Sequence, residues 1–253
     1  MNLTKKLFLI AIGFSFLQAC AQKTAFRPNG QRLAPEIFDI ELRGVDVILL
    51  GERHGKASDH EGQLELISKF SNAVLGMEQI NQNQNDSLKK YLDIKDHRVE
   101  GLETQLDWSK RGWPKFSFYE PLISHAKDRG WKVIGLNKSA KELEKSGPKA
   151  FSKLSAQEQN ELIEEMIKVH PFEMSDELAK KLAKLQAARD FEMAKKINSE
   201  LVEKKVFIGI MGCGHVRKDR GVPFFLKMMK PDLKVLSLCF HPKSKEVDYI
   251  WKP

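Results

Sequence analysis

The chain has 253 residues and a formal net charge of +8 at neutral pH. That length can bury one sizeable hydrophobic core, alone or with a small appendage. Lysine and glutamate alternate along much of the sequence instead of forming a clustered basic stripe. The composition therefore argues against a nucleic-acid-binding protein.

The N-terminus has the features of an export signal, predicted over residues 1–19. Lys5 and Lys6 precede the apolar run "LFLIAIGFSFLQA", which is shorter than the roughly 20 residues of a membrane-spanning helix. The following "LQAC" resembles the lipobox of bacterial lipoproteins, so we expect Cys20 to carry the lipid that anchors the mature chain to a membrane. A chance cysteine after an ordinary signal peptide is the alternative. Ala21 is not an aspartate, and by resemblance this favours the outer membrane of the cell envelope.

Residues 20–43 resemble an irregular tether, and the folded domain is expected over 44–253. Short apolar segments predict strands: "VDVILLG", "AVLGMEQ", "KVIGLN", "KVFIGIMG", "KVLSLCF" and a last strand at Tyr249. Helical segments such as "HEGQLELISKFS" and "FYEPLISHAKDRG" separate them. This order predicts an α/β fold with a mostly parallel central sheet flanked by helices.

The charged region from about 139 to 204 interrupts the alternation of strand and helix. Apolar residues recur there every three or four positions, as on the packing face of a helix. We therefore expect a helical subdomain inserted between the third and fourth of these strands. Cys213 and Cys239 each follow a predicted strand, and buried thiols are expected, with a disulfide as the alternative because export permits oxidation.

Polar side chains occur where the predicted strands end. Glu52 and His54 follow the first, Glu78 closes the second, Asn137 closes the third, and His215 follows the fourth. Ligands of parallel α/β sheets gather at the carboxyl ends of the strands. We therefore expect these five side chains to lie around one cavity at that edge, which we call the carboxyl edge.

Three roles remain open for two carboxylates and two imidazoles at one edge. They match the ligand types of a divalent metal ion. Without a metal they could act as acid and base in hydrolysis. They could also hydrogen-bond one another and only close the sheet. His60 is expected to begin the next helix beside this group.

Several motifs resemble, in order, the ChaN-like haem-binding uptake family. They are "VILLGERHGKASDHEGQLELI", "GMEQ", "WPKFSFYEPLI", "VIGLN", "QAARDFEMAKKI" and "IGIMGCGHV", and they extend from about residue 45 to residue 227. That family belongs to a superfamily with the erythromycin esterases, the TraB proteins and the Tiki metalloproteases. A lipoprotein signal also fits it.

The resemblance implies a homodimer that encloses two cofacial haems and serves iron uptake. A tyrosine would ligate each iron, and a phenolate suits ferric iron. Tyr119 is the favoured ligand, Tyr91 is the reserve, and a core role for Tyr119 stays open. Further residues are expected near the haem: His54, His60, His215 and Asp190, with Trp113, Phe116 and Phe118 as an apolar wall.

The superfamily also supplies the alternative function. A metal-dependent or Glu/His-based hydrolase, either an esterase or a protease, would use Glu52, His54, Glu78 and His215 as its catalytic groups. In the insert, the resemblance is weaker, because the His-rich stretch of many family members is reduced here to His170.

Overall fold

A computed structural model describes residues 24–94, 99–169, 174–242, 244 and 246–252. The predicted signal peptide, Cys20 and His170 lie outside these residues. Within them the chain forms one sheet of seven strands. The strands are β1 (Thr24–Phe26), β2 (Val47–Glu52), β3 (Ala73–Asn81), β4 (Lys132–Asn137), β5 (Val206–Gly212), β6 (Val235–Cys239) and β7 (Tyr249–Lys252).

The sheet is parallel except at one end. Its strand order is β1-β7-β6-β2-β5-β3-β4, and only the pairing of β1 with β7 is antiparallel. The central strands are almost wholly buried, as expected for a sheet covered on both faces. The predicted α/β fold with a mostly parallel sheet is confirmed.

Helices cover both faces of the sheet. They are α1 (Pro35–Arg43), α2 (Ala57–Ile67), α3 (Asn85–Leu92), α4 (Leu102–Gln105), α5 (Glu120–Asp128), α6 (Ala140–Phe151), α7 (Ala156–Val169), α8 (Asp176–Ser199) and α9 (Val222–Met229). Alternate residues of a strand point to opposite faces. Accordingly, Ile48 and Leu50 join one hydrophobic cluster, with residues of α1 to α5, whereas Val47 and Leu49 join a second, with residues of α6 to α9.

The chain between β4 and β5 is helical. It contains α6, α7 and α8, and α8 packs on α6, α7, α9 and β4. Ser139 caps α6 in a capping box with Glu142, and Ser175 caps α8, so polar side chains satisfy the first backbone N–H groups. Because α8 crosses the sheet face, it brings the middle of a long helix to the carboxyl edge.

Residues 24–43 are not an irregular tether, contrary to the expectation from sequence. They contain β1 and α1. Phe38 of α1 is buried and packs 5.3 Å from Tyr249 and 5.5 Å from Trp251, between ring centroids. A three-residue strand is too short to show a hydrophobic period, and its partner β7 lies at the other end of the sequence.

A disulfide joins Cys213 and Cys239, so the expectation of buried thiols is wrong. β5 and β6 lie on either side of β2, and each cysteine stands at the carboxyl end of its strand. The bridge therefore passes over the end of β2. A Cβ on Gly51 would lie 3.0 Å from the Cys213 Cα, and the glycine leaves room for this crossing.

None of the helices in the described part of the chain is long and apolar enough to span a membrane.

Candidate functional site

The carboxyl edge brings together side chains from distant parts of the sequence. Glu52 at the end of β2 pairs in register with Gly212 at the end of β5. β3, which carries Glu78, is the other neighbour of β5. A Cβ on Gly212 would lie 2.8 Å from His54 Nε2 and 3.6 Å from His215 Cδ2, so the two imidazoles flank this glycine. We call Glu52, His54, Glu78, Asp190 and His215 the rim.

Glu52 is a buried carboxylate that several donors share. Its Oε1 accepts hydrogen bonds from the Tyr119 hydroxyl at 2.6 Å and from Gln79 Nε2 at 3.2 Å, and it lies 2.8 Å from His54 Nδ1. Its Oε2 accepts a hydrogen bond from Gln63 Nε2 at 2.9 Å. A buried charge is costly unless it is hydrogen-bonded. These donors satisfy Glu52 and fix its orientation.

His54 is the exposed imidazole of the rim. Its side chain is 37% exposed, and its ring lies 5.2 Å from that of Trp113, edge to face. Partial burial lowers the pKa of His54, but the hydrogen bond to Glu52 and the charge of Glu78 outweigh this effect, and the pKa is raised overall. Because Nδ1 is held by Glu52, Nε2 is the nitrogen available to a ligand or substrate.

His215 is buried between two carboxylates. Its Nε2 lies 3.1 Å from Glu78 Oε1, and its Nδ1 lies 2.5 Å from Asp190 Oδ1. The backbone N–H of Gly212 donates to Glu78 Oε2 at 2.8 Å. Asp190 comes from the middle of α8, so the inserted helices complete this part of the rim.

The positive charge of His215 is shared by the two carboxylates beside it. Burial lowers the pKa of His215, but Glu78 and Asp190 outweigh it and raise the pKa to about 10. Burial raises the pKa of Glu78, yet the charge and hydrogen bond of His215 lower it to about 2. Burial, reinforced by Glu78, raises the pKa of Asp190 to about 6. One imidazolium therefore neutralises Glu78 more completely than Asp190.

His60 lies beneath the rim on α2. Its ring is 4.6 Å from that of Tyr119 and stacks on Phe118 at 5.3 Å. Its Nδ1 lies 3.0 Å from Gln63 Oε1. His60 Nε2 and Gln79 Oε1 are buried and have no hydrogen-bond partner among the residues that the structure describes. This inner layer orients Glu52 and presents no surface to a ligand.

The three tyrosines of the described chain are either buried or distant from the rim. Tyr119 is fully buried, and burial together with Glu52 raises the pKa of its hydroxyl. Tyr249 is also buried. Tyr91 is half-buried near the end of α3, where the Lys127 ammonium contacts the Leu92 carbonyl at 2.8 Å. Tyr91 therefore lies near the amino ends of the strands, which we call the amino edge of the sheet, and away from the rim.

A tyrosine that ligates iron must be deprotonated, and its oxygen must be accessible to the incoming iron. In the described structure Tyr119 meets neither condition, and this favours the core role that the sequence had left open over ligation of haem iron. Its hydroxyl is tethered to Glu52. Of the predicted apolar wall, Phe116 is buried, whereas Trp113 and Phe118 are half-exposed.

Asn137 lies at this edge but contacts α8 and not the imidazoles: its Oδ1 accepts from Arg189 Nε at 3.3 Å.

Gln63 and Gln79 both donate hydrogen bonds to Glu52, but neither was predicted from the sequence as a site residue. The position of Gln79 could have been predicted, because consecutive side chains of a strand such as β3 point to opposite faces of the sheet. Glu78 faces His215 and Asp190, and Gln79 faces Glu52.

A divalent metal site was one of the roles that the sequence left open for the rim. In the described ranges no three His, Cys, Asp or Glu side chains are arranged to hold a metal ion. The rim atoms that would serve as ligands hydrogen-bond one another instead.

Comparison with known proteins points to one family. The family model described as "Haem-binding uptake, Tiki superfamily, ChaN" matches residues 40–226. No curated protein sequence matches the chain. A solved structure of ChaN from Campylobacter jejuni with cofacial haem is similar, with a TM-score of 0.74 at 21% identity over 91% of this chain and 97% of that one. A mutant of the erythromycin esterase EreC has a TM-score of 0.52 at 12% identity over 86% and 78%.

Proposed function

Because the chain belongs to the haem-binding uptake family of the Tiki superfamily that includes ChaN, we propose that it binds haem at the carboxyl edge and serves iron acquisition. The observation that carries the proposal is the extent of the family match. Residues 40–226 include every residue of the rim, as well as Trp113.

The exposed side chains of this edge suit haem in chemical type. His54 offers an imidazole whose Nδ1 is held by Glu52, and such a carboxylate partner raises the basicity of a ligating histidine. Trp113 beside it supplies an apolar plane. Lys56 and Lys115 are exposed on two adjoining loops and would pair with propionates. The bound iron would take one nitrogen ligand, and we assign that role to His54.

An absorption spectrum of purified protein with hemin tests the assignment. We expect an imidazole-type ferric spectrum that changes in His54→Ala and persists in His125→Ala, since His125 lies on α5 away from the rim. Tyr119→Phe is expected to leave the spectrum unchanged. A tyrosinate-type spectrum that is lost in Tyr119→Phe or Tyr91→Phe would contradict ligation by His54.

The location of the protein in the cell is a separate proposal, which depends on the N-terminal signal predicted from the sequence. We propose a lipid on Cys20, an outer-membrane location and a homodimer that encloses cofacial haems, the last supported by the haem arrangement in the Campylobacter jejuni protein. Mass spectrometry of the N-terminal peptide, membrane fractionation and sedimentation with and without haem test these three statements separately. An unmodified Cys20 would exclude the lipid anchor.

A second candidate is hydrolysis at the same edge. It is favoured by two histidine–carboxylate pairs on either side of Gly212: His54 with Glu52, and His215 with Glu78. Such pairs provide a general base and an acid. A panel of esters and peptides, assayed with and without added divalent metal, tests it. Full activity in both His54→Ala and His215→Asn would exclude it.

A further inference from the structure

The disulfide between Cys213 and Cys239 lies next to the rim but on the other face of the sheet from the surface assigned to haem. Both cysteines pack in the hydrophobic cluster between the sheet and α6 to α9, whereas Trp113 packs on the cluster of the opposite face. Cys213 begins a short helical turn, Cys213–Val216, which carries His215. The bridge therefore ties one part of the rim to the end of β6.

The two sulfur atoms of the bridge have opposite surroundings. Cys213 is half-buried, and its Sγ lies 3.1 Å from the carbonyl oxygen of Gly51. Cys239 is fully buried, and its Sγ accepts hydrogen bonds from the backbone N–H of His241 at 3.2 Å and from the Ser244 hydroxyl at 2.9 Å. Hydrogen-bond donors stabilise a thiolate, and a carbonyl oxygen repels one. A negative charge is therefore better placed on Cys239 than on Cys213.

Thiol–disulfide exchange needs one sulfur that can be reached and one sulfur that can leave. An incoming thiolate attacks the first sulfur, and the second departs as a thiolate, faster where that thiolate is more stable. Cys213 offers the sulfur that can be reached, because its side chain is partly exposed. Cys239 offers the sulfur that can leave, because two donors await the thiolate.

We propose that the bridge is a reversible exchange site for a protein dithiol, and that its reduction releases the turn that carries His215. The first thiolate of the dithiol bonds to Cys213 Sγ, and the electron pair of the broken S–S bond leaves on Cys239 Sγ. The second thiolate of the dithiol attacks its own partner sulfur in this mixed disulfide and expels Cys213 Sγ. The dithiol is thereby oxidised to a disulfide, the two cysteines are reduced, and the two protons of the dithiol pass through solvent to their sulfurs.

Reduction loosens the rim because the released turn follows Gly212 directly. The Gly212 N–H donates to Glu78 Oε2 at 2.8 Å, and Glu78 in turn pairs with His215. The packing of Val216 over Gly51 does not depend on the bridge, so the turn stays folded after reduction but can open locally. The inference goes beyond haem binding, and its tests use the protein without haem.

Glutathione identifies the sulfur that is attacked. The oxidised full chain is treated with this monothiol, quenched with acid, and mapped by peptide mass spectrometry, which also separates Cys20 from the other two cysteines. We expect glutathione on Cys213 and a free thiol, open to alkylation, on Cys239. Glutathione on Cys239 would contradict the roles assigned to the two sulfurs.

Dithiothreitol measures the rate of reduction. We expect a rate that is proportional to the concentration of reductant and is unchanged by urea below the unfolding transition. Ser244→Ala should slow it about five- to tenfold, because a hydrogen bond to the leaving thiolate is lost. Ser199→Ala is the matched control: it removes an exposed hydroxyl at the amino edge and should keep the wild-type rate. A rate that rises with urea in step with unfolding, or that is equal in Ser244→Ala and the wild type, would mean a purely structural bridge.

Hydrogen exchange tests the release of the turn. The amides of Gly212 and Ile208, both in β5, are compared in the oxidised and the reduced full chain. Loss of a disulfide lowers the global stability and speeds exchange at both amides alike, whereas local opening of the turn speeds exchange at Gly212 alone. We expect the rate at Gly212 to rise about tenfold more than the rate at Ile208. An equal rise at the two amides would refute the release of the turn.

Discussion

Removal of His215 is expected to change how the stability of the protein depends on pH. The pKa of this imidazole is raised from 6.5 to about 10 in the folded state by Glu78 and Asp190, which outweigh its burial. A raised pKa means that the folded state holds the proton more tightly than the unfolded chain. The contribution is therefore fully present below pH 6.5 and is lost as the pH rises through about 10.

The size of the effect follows from proton linkage. Between pH 7 and pH 9 the His215 imidazole still holds its proton in the folded state, whereas the same imidazole in the unfolded chain is mostly deprotonated. Each pH unit then lowers the free energy of unfolding by up to about 1.4 kcal/mol, and integration from pH 7 to pH 9 gives a loss of about 2–3 kcal/mol. His215→Gln cannot carry this charge, so its free energy of unfolding is expected to fall by about 2–3 kcal/mol less over the same interval.

Urea unfolding at pH 7, 8 and 9, at constant ionic strength, measures the difference. His125→Gln is the matched control, because the pKa of His125 is lowered, so the folded state does not hold this proton more tightly than the unfolded chain. Asp190→Asn keeps the pair of His215 with Glu78 and serves if His215→Gln does not fold; it should retain part of the pH dependence. Equal pH dependence in the wild type, His215→Gln and Asp190→Asn would refute a buried imidazolium.

Three further changes have expected sizes. Gly135→Ala would place a Cβ 2.6 Å from backbone oxygens of β3, and we expect a loss of about 1–3 kcal/mol in urea unfolding, against little change for Gly44→Ala, whose nearest atom is 3.8 Å away. Replacing Cys213 and Cys239 together by alanine opens a loop with a sequence separation of 26, and thermal unfolding without reductant should show about 3.5 kcal/mol less stability; an unchanged midpoint would mean that the bridge does not form. Tyr119→Phe removes a buried hydrogen bond to a carboxylate and is expected to cost about 1–3 kcal/mol.

The central sheet was predictable because its signal is local. β4 was predicted over its full length by "KVIGLN", and the burial of β2 and β5 on both faces is visible as unbroken apolar runs. β1 and α1 were missed for a different reason. A strand of three residues gains its stability from pairing with β7 and from Phe38 packing on Trp251, and neither contact leaves a pattern in the residues around Thr24.

The polar groups of the rim were foreseen by a topological rule, but their partners were not. Glu52 and Glu78 follow from the position of strand ends. The link from Tyr119 to Glu52 joins residues 67 positions apart, and the disulfide depends on β5 and β6 flanking β2. Strand order is set by packing across the whole domain. A sequence that shows where strands end does not show which ends are neighbours.

The unequal exposure of the two imidazoles separates the two candidate functions. His54 is 37% exposed and His215 only 7%, so any external ligand or substrate meets His54 first. Loss of His54 would therefore impair haem binding and hydrolysis alike, and it cannot decide between them. His215 reaches no ligand surface of its own, and its charge acts through Glu78 and the end of β5. His215→Asn should then abolish hydrolysis that needs a second acid–base group while the iron ligand of a bound haem is retained.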